Sequence, residues 1–340
     1  MAKVNPRGVV ASVSKVVNEK MKGKANDDVL TSYSEYAKHA PPAEWVSTGN
    51  YAIDRILGGG IPVTRTIEIF GPYAGGKTLL LQEVLAQTCQ LGGYGVFQDI
   101  ERTYDPIFGE HIGIDPDRLF YSQPDTVESA FEQSYHLIPD FRKKDQKSIL
   151  TIGMDSLAAA PSKHELEELD KADMTKAKAI GAWLRRLTGR VSKQRAILII
   201  INQTRHKVGV VFGNPETTPG GDAPGFHASM RIRVEQRSLY KGHARKIFDA
   251  GKCIAVRIVV ELVKSKLPGA PPFGKCEVIS NFNDGLLPWS GYADLLADEE
   301  KLKRIETKRG ESSGLFEYQG KRFRAHEIME IVDKYPEIVM

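Results

Sequence analysis

The sequence predicts an α/β fold, a mixed and mainly parallel sheet covered by helices, with smaller appended segments at both ends. Two observations predict it. Short apolar runs with few charges recur at 66–70, 95–99, 148–154 and 196–202, which is how parallel strands buried on both faces read. A stretch with helical apolar spacing, Leu80, Leu81, Val84 and Leu85 within 77–91, lies between the first two runs. Strands separated by helices imply crossover units.

The elements follow in chain order. Residues 1–45 form a separate opening segment. Val9, Val10, Val13, Val16 and Val17 fall at helical spacing, so a short amphipathic helix is expected. Lys20, Lys22, Gly23 and Lys24 then suggest a solvated linker, and Pro41-Pro42 ends the segment. It is too small to build its own core and is expected to pack on the main body or on another subunit. The core is expected over 46–282. There 231–236 and 253–263 extend the sheet, in part antiparallel. Residues 283–340 are expected to form a small α+β domain, with a charge-dense run at 298–304, a hairpin around Gln319-Gly320 and a helix over 325–333.

Composition excludes several classes. Hydrophobic residues make up 41% and charged residues 26% of 340, ordinary for a chain with a sizeable core. No apolar run approaches the ~18–20 residues of a membrane span, and the N-terminus lacks a signal-peptide run, so no membrane association and a cytoplasmic location are expected. Cys89, Cys253 and Cys276 are three, with no C-x-x-C spacing. That argues against a disulfide framework or a zinc site. The net charge of +4 is mild; it permits nucleic-acid binding without requiring it.

The chemistry starts at Gly71-Pro72-Tyr73-Ala74-Gly75-Gly76-Lys77-Thr78. This is the phosphate-binding pattern G-x-x-x-x-G-K-[ST], placed between an expected strand and an expected helix as it must be. Its glycines let backbone N–H groups turn toward phosphates, and the helix terminus that continues into Leu79 adds partial positive charge. Lys77 would reach the terminal phosphates, and the Thr78 hydroxyl would ligate magnesium. The expected ligand is ATP with Mg2+. Asp155 ends the run 148–154 and suits a metal-side carboxylate; capping a following helix is its bland alternative. Glu101 closely follows the run 95–99 and is the candidate general base, with Asp99 as local competitor. Gln203 follows the run 196–202 and could sense the γ-phosphate.

Val46-Ser47-Thr48-Gly49, the phosphate loop, Asp99-Ile100-Glu101, Asp105-Pro106-Ile107-Phe108, Ile201-Asn202-Gln203-Thr204-Arg205 and the run from Phe212 through Thr218 to Gly220-Gly221 together resemble the bacterial RecA recombinases. The likeness covers about 46–285 and is weaker at both ends. It implies a RecA-like P-loop ATPase core, an N-terminal polymerisation segment and a small C-terminal domain. It further implies a DNA-dependent ATPase that forms helical homo-oligomeric filaments on single-stranded DNA and exchanges strands with a homologous duplex. By position, Glu101 resembles the family's catalytic glutamate. Asp105 and Phe108 would line the adenine, Phe108 standing where a tyrosine is usual. Lys264 and Lys266 would act in trans on the ATP of a neighbouring subunit; from the residues alone they could equally be solvated strand-end lysines.

Two DNA loops are implied. The first, near 161–174 and ending at Met174, is acidic here through Glu165, Glu167, Glu168 and Asp170, and by itself reads as a solvated helical face. The second spans about 203–221 and holds Arg205, Lys207, Val208, Val211, Phe212, Gly220 and Gly221. Cations can neutralise phosphates, apolar side chains can wedge between bases, and glycines allow close approach. The sequence departs from the family at Pro224 and Gly225 beside Phe226. It also departs at Val259 and Glu261, where basic residues for the second DNA are frequent. Lys301, Lys303, Arg304 and Lys308 are candidate replacements. A RecA-fold helicase or motor, a non-catalytic recombination mediator and a small-molecule kinase are the competing readings.

Overall fold

The structure, a computed structural model, describes residues 6–21, 30, 32, 34, 43–167, 175–206, 216–307 and 311–339. Chain contacts divide it into Met1–Glu44 and Trp45–Met340. In the first unit the expected helix is present as Pro6–Met21. Asn18 brackets Leu30, donating from Nδ2 to its carbonyl at 2.9 Å and accepting its N–H at 2.8 Å. Val10, Val13, Val16 and Val17 are exposed.

In the second unit β1 (Trp45–Val46) and β2 (Ile61–Pro62) form a two-stranded antiparallel pair around the helix Tyr51–Leu57. The parallel strands are β3 (Thr66–Gly71), β4 (Tyr94–Asp99), β5 (Leu119–Ser122), β6 (Leu150–Asp155) and β7 (Ala196–Gln203). β8 (Arg205–His206) pairs with β9 (Glu216–Thr217). The sheet continues through β10 (Met230–Glu235), β11 (Lys246–Asp249), β12 (Lys252–Ser265), β13 (Lys275–Asn281) and β14 (Gly285–Leu286). The ten-stranded sheet runs β14-β13-β12-β10-β3-β7-β6-β4-β5, with β11 paired to β12. β10 is the joint: parallel to β3 on one side and antiparallel to β12 on the other. That bears out the expected mixed, mainly parallel sheet.

Two apolar cores lie on the sheet. One gathers the helix Lys77–Gln90, where Leu80, Leu81, Val84 and Leu85 are fully buried, each contributing roughly 2 kcal/mol over exposure. The other lies under the helices Val127–Lys144 and Thr175–Lys193, around Phe131, Ile138, Leu184 and Leu187. The carboxy-terminal part holds the helix Tyr292–Asp298 and the antiparallel strands β15 (Lys303–Glu306), β16 (Ser312–Tyr318) and β17 (Lys321–Arg324). The hairpin turns at Gln319-Gly320, both with positive φ, and the helix Ile328–Lys334 follows. Phe316 and Phe323 stack here and join the first core. Among the described residues, no helix is long and apolar enough to cross a membrane.

Candidate functional site

Strand-end geometry brings the phosphate loop and its partners together. β3 ends at Gly71, and the helix begins at Lys77 with Gly76 as its N-cap at φ 95°. The loop is braced from behind by β10. A Cβ on Gly71 would lie 2.0 Å from the Val234 carbonyl oxygen, and one on Gly75 would lie 2.7 Å from it. Only glycine fits such an approach. Ala74 adds a left-handed residue at φ 55°, so successive N–H groups converge as in an anion nest.

Lys77 is 6% exposed, and its Nζ donates to the Pro72 carbonyl at 2.6 Å. Burial pushes its pKa down, opposed by the negative charge of Asp155 and Glu101. The Thr78 hydroxyl donates to Asp155 Oδ2 at 2.7 Å. Burial pushes Asp155 up to about 7, against the Thr78 hydrogen bond, with Glu101 and Asp99 adding to the rise. A buried carboxylate held up in this way is suited to a cation, and the Thr78–Asp155 oxygen pair is the hard donor set magnesium takes. Together with the glycine-lined cradle, these residues fit a magnesium nucleotide.

The competition between Asp99 and Glu101 has a geometric answer. Asp99 accepts the N–H groups of Thr103 at 3.1 Å and Tyr104 at 3.0 Å, and the Tyr121 hydroxyl at 2.9 Å. It organises the turn after β4. Glu101 instead faces the site: its Oε1 accepts from the Ser156 hydroxyl and from Gln203 Nε2 at 3.2 Å. Glu101, Asp155 and Gln203 therefore meet at the carboxyl ends of three strands, where open α/β sheets bind ligands.

A cavity of about 440 Å³ opens here. It is lined by the loop from Tyr73 through Leu79, and by Glu101, Asp105, Phe108, Asp155 and Gln203. Asp105 caps the helix Pro106–His111, accepting from Ile107 N at 2.9 Å. Sequence reasoning missed Thr103, Ser280, Asn281 and Phe282, which also line the cavity. The last three come from the end of β13, some two hundred residues from the loop, with no motif to mark them.

Lys264 and Lys266 are not in this cavity. Their Nζ atoms donate to the Gly225 carbonyl at 2.6 Å and the Phe226 carbonyl at 3.0 Å respectively. Burial, with the neighbouring Lys266 and Arg231, pushes Lys264 down to about 8. The pair sits at the end of β12, on the short helix Ala223–His227. Phe226 projects there, 71% exposed, with Lys266 5.5 Å over its ring. Gly225, one of the departures noted above, lies against the Arg231 guanidinium, where an added Cβ would make only an ordinary contact at 3.4 Å. Arg231 bonds Glu68 at 2.6 Å, and Asn202 bridges Glu68 at 3.1 Å to the Pro219 carbonyl at 3.0 Å. That network ties the end of the 203–221 segment to Arg231, the strand partner of Lys264.

Of the expected DNA contacts, Arg205 begins β8, and Gly220 and Gly221 form a turn at φ 93° and 65°. Lys207, Val208, Val211, Phe212 and Met174 lie outside the described residues. In the acidic first loop, Glu165 and Ser162 form a reciprocal cap on the helix Lys163–Glu167, at 2.6 and 3.0 Å. Of the suggested replacement cations, Arg304 is held by Asp294 at 3.1 Å and Asp298 at 2.9 Å. Lys308 lies outside the described residues.

The RecA N-terminal domain family matches residues 16–287. The chain is 40% identical over 261 residues to Protein RecA of Mycoplasmopsis pulmonis, covering 76% of this chain and 73% of that protein. It is 38% identical over 265 residues to Protein RecA of Herpetosiphon aurantiacus, covering 77% and 70%. To Protein RecA of Heliobacterium modesticaldum it is 35% identical over 282 residues, covering 82% and 75%. The loop, the strand-end acids and these matches agree: the chain belongs to the RecA family.

Proposed function

We propose that this chain is a DNA-dependent ATPase that polymerises on single-stranded DNA and promotes pairing and strand exchange with a homologous duplex. Membership of the family gives it the role of a recombinase in recombination and repair. The observation that carries the finer reading is the 3.2 Å contact between Glu101 and Gln203 inside the P-loop cavity. Gln203 ends β7 and opens the expected DNA loop, 203–221. One side chain thus touches both the hydrolytic carboxylate and the root of a DNA-binding segment.

In this reading the loop N–H groups and Lys77 bind the phosphates, and Asp105 and Phe108 flank the base. Thr78 and Asp155 would hold magnesium, which when bound neutralises phosphate charge. Glu101 orients the attacking water and takes its proton. Gln203 reports the γ-phosphate to residues 205–221, which grip DNA through Arg205, Lys207, Val208, Val211, Phe212, Gly220 and Gly221, with Met174 on the other loop. Lys264 and Lys266 complete the site of an adjacent subunit. Residues 1–45 serve polymerisation, 46–282 catalysis and DNA binding, and 283–340 form the small C-terminal part. The protein acts in the cytoplasm.

Three measurements test this: ATP turnover with and without single-stranded DNA, joint-molecule formation, and electron microscopy with an ATP analogue. Extended helical filaments and DNA-stimulated turnover are expected. Strong unwinding without strand exchange would instead establish a motor. Glu101→Gln should cut turnover by about 100-fold or more while nucleotide binding persists. Unchanged turnover would remove Glu101 from the base role.

A further inference from the structure

One buried side chain on the nucleotide cavity has an idle polar end. Gln82, in the helix Lys77–Gln90, is 5% exposed and lines the cavity. Its amide has no hydrogen-bond partner among the described residues, yet neither amide atom is sealed from solvent. The little surface that Gln82 keeps therefore includes both amide atoms. A buried amide without partners is costly, and a ligand in the cavity can supply the missing bonds.

Each of the other carboxylates and amides on the cavity already has a bond. Asp155 accepts from Thr78 at 2.7 Å, and Gln203 donates to Glu101 at 3.2 Å. Asp105 Oδ1 accepts the N–H groups of Ile107 and Phe108 at 2.9 and 3.3 Å. Asn281 Oδ1 accepts those of Asn283 and Asp284 at 2.8 and 3.3 Å. Gln82 is the one among them with donor and acceptor both unused.

The helix register places that amide at the base end of the site. Thr78, at the phosphate end, and Gln82 are four positions apart, so they share a face with about 6 Å of rise between them. Glu83, next in sequence, accepts the Leu286 N–H at 2.7 Å, and a Cβ on Gly285 would lie 2.2 Å from its Oε1. This side of the helix therefore packs against the turn between β13 and β14. The end of β13 supplies Ser280, Asn281 and Phe282 to the cavity. Phe282, 54% exposed, and Phe108 offer ring faces there for a base to stack on.

A glutamine amide presents one acceptor beside one donor. The N6/N7 edge of adenine is its complement, a donor amino group beside an acceptor ring nitrogen. Guanine shows two acceptors at the same edge, so one of them would face the amide oxygen. We propose that Gln82 reads the base of the bound nucleotide, its amide pairing with N6 and N7 of adenine, and so selects ATP over GTP. This rests on the nucleotide-site reading above.

The test measures the affinity of the full chain for ATP, GTP and 7-deaza-ATP, in which a C–H replaces N7, by calorimetry. Wild type should bind ATP about tenfold or more tighter than GTP, and several-fold tighter than 7-deaza-ATP. Gln82→Leu should lose about tenfold or more for ATP, with little change for GTP, so that its affinities for the three nucleotides converge. A parallel loss for all three would mark Gln82 as structural and overturn the proposal. The wild-type arm decides without any variant: equal binding of ATP and 7-deaza-ATP overturns the pairing with N7. Wild type binding none of the three would overturn the nucleotide site itself and the proposal with it, an outcome distinct from binding all three alike.

Discussion

Glu83 gives a prediction that can be worked through in numbers. It lies in the helix that follows the phosphate loop, 6% exposed, with Oε1 accepting the Leu286 N–H at 2.7 Å. Burial pushes its carboxyl from the ordinary 4.5 up to about 7, with the Leu286 bond opposing the rise. Between those values the folded protein holds a proton that the unfolded chain has released. Its stabilising contribution is therefore full below about pH 4.5 and is lost as the pH rises through about 7. At 1.36 kcal/mol per unit the interval corresponds to about 3 kcal/mol. Glu83→Gln keeps an acceptor for Leu286 and removes the charge. Urea unfolding of wild type and variant near pH 5 and near pH 8 should show the variant gaining about 2–3 kcal/mol on the wild type at the higher pH. An equal stability difference at both pH values would refute the assignment of a buried, proton-holding Glu83.

Other expectations concern the site and the scaffold. Gly75→Ala places a Cβ 2.7 Å from the Val234 carbonyl and 3.1 Å from that of Pro72, so nucleotide affinity measured by calorimetry should fall by about tenfold or more. Thr126→Ala removes a reciprocal cap, in which Thr126 Oγ1 accepts Ser129 N at 3.1 Å and Ser129 Oγ accepts Thr126 N at 3.2 Å; a loss of about 1 kcal/mol is expected in chemical denaturation. Phe131→Ala empties a fully buried position on the inner face of the helix Val127–Lys144. It should cost about 3–5 kcal/mol while leaving nucleotide affinity in the folded fraction unchanged.

The parts legible in the sequence were those with a strong local signature. β3, β6 and β7 are buried on both faces, so they appear as apolar runs. The phosphate loop is marked because backbone crowding against Val234 demands glycine at fixed spacing. β13 left no such trace: Lys275, Glu277 and Asn281 interrupt it, and Glu277 is tolerated only because Ser238, Leu239 and His243 satisfy it from another segment. β5 is a four-residue strand at the sheet edge with Phe120 and Tyr121 half exposed, too short and too open for a clear period. Ser280, Asn281 and Phe282 reach the cavity only through sheet topology, so no spacing rule finds them. Glu101 was already preferred to Asp99 in the sequence, and the hydrogen bonds of the two add the physical ground for that choice.

The Val234 carbonyl behind the phosphate loop has one more consequence. The obstacle that excludes a Cβ from Gly71 and Gly75 is main chain, not side chain. Changing residue 234 to another aliphatic leaves that oxygen where it is. A saturation library should therefore tolerate apolar exchange at 234 yet reject nearly every substitution at 71 and 75. No compensating change at 234 should rescue them, so two positions in direct contact would yield no second-site suppressors of each other.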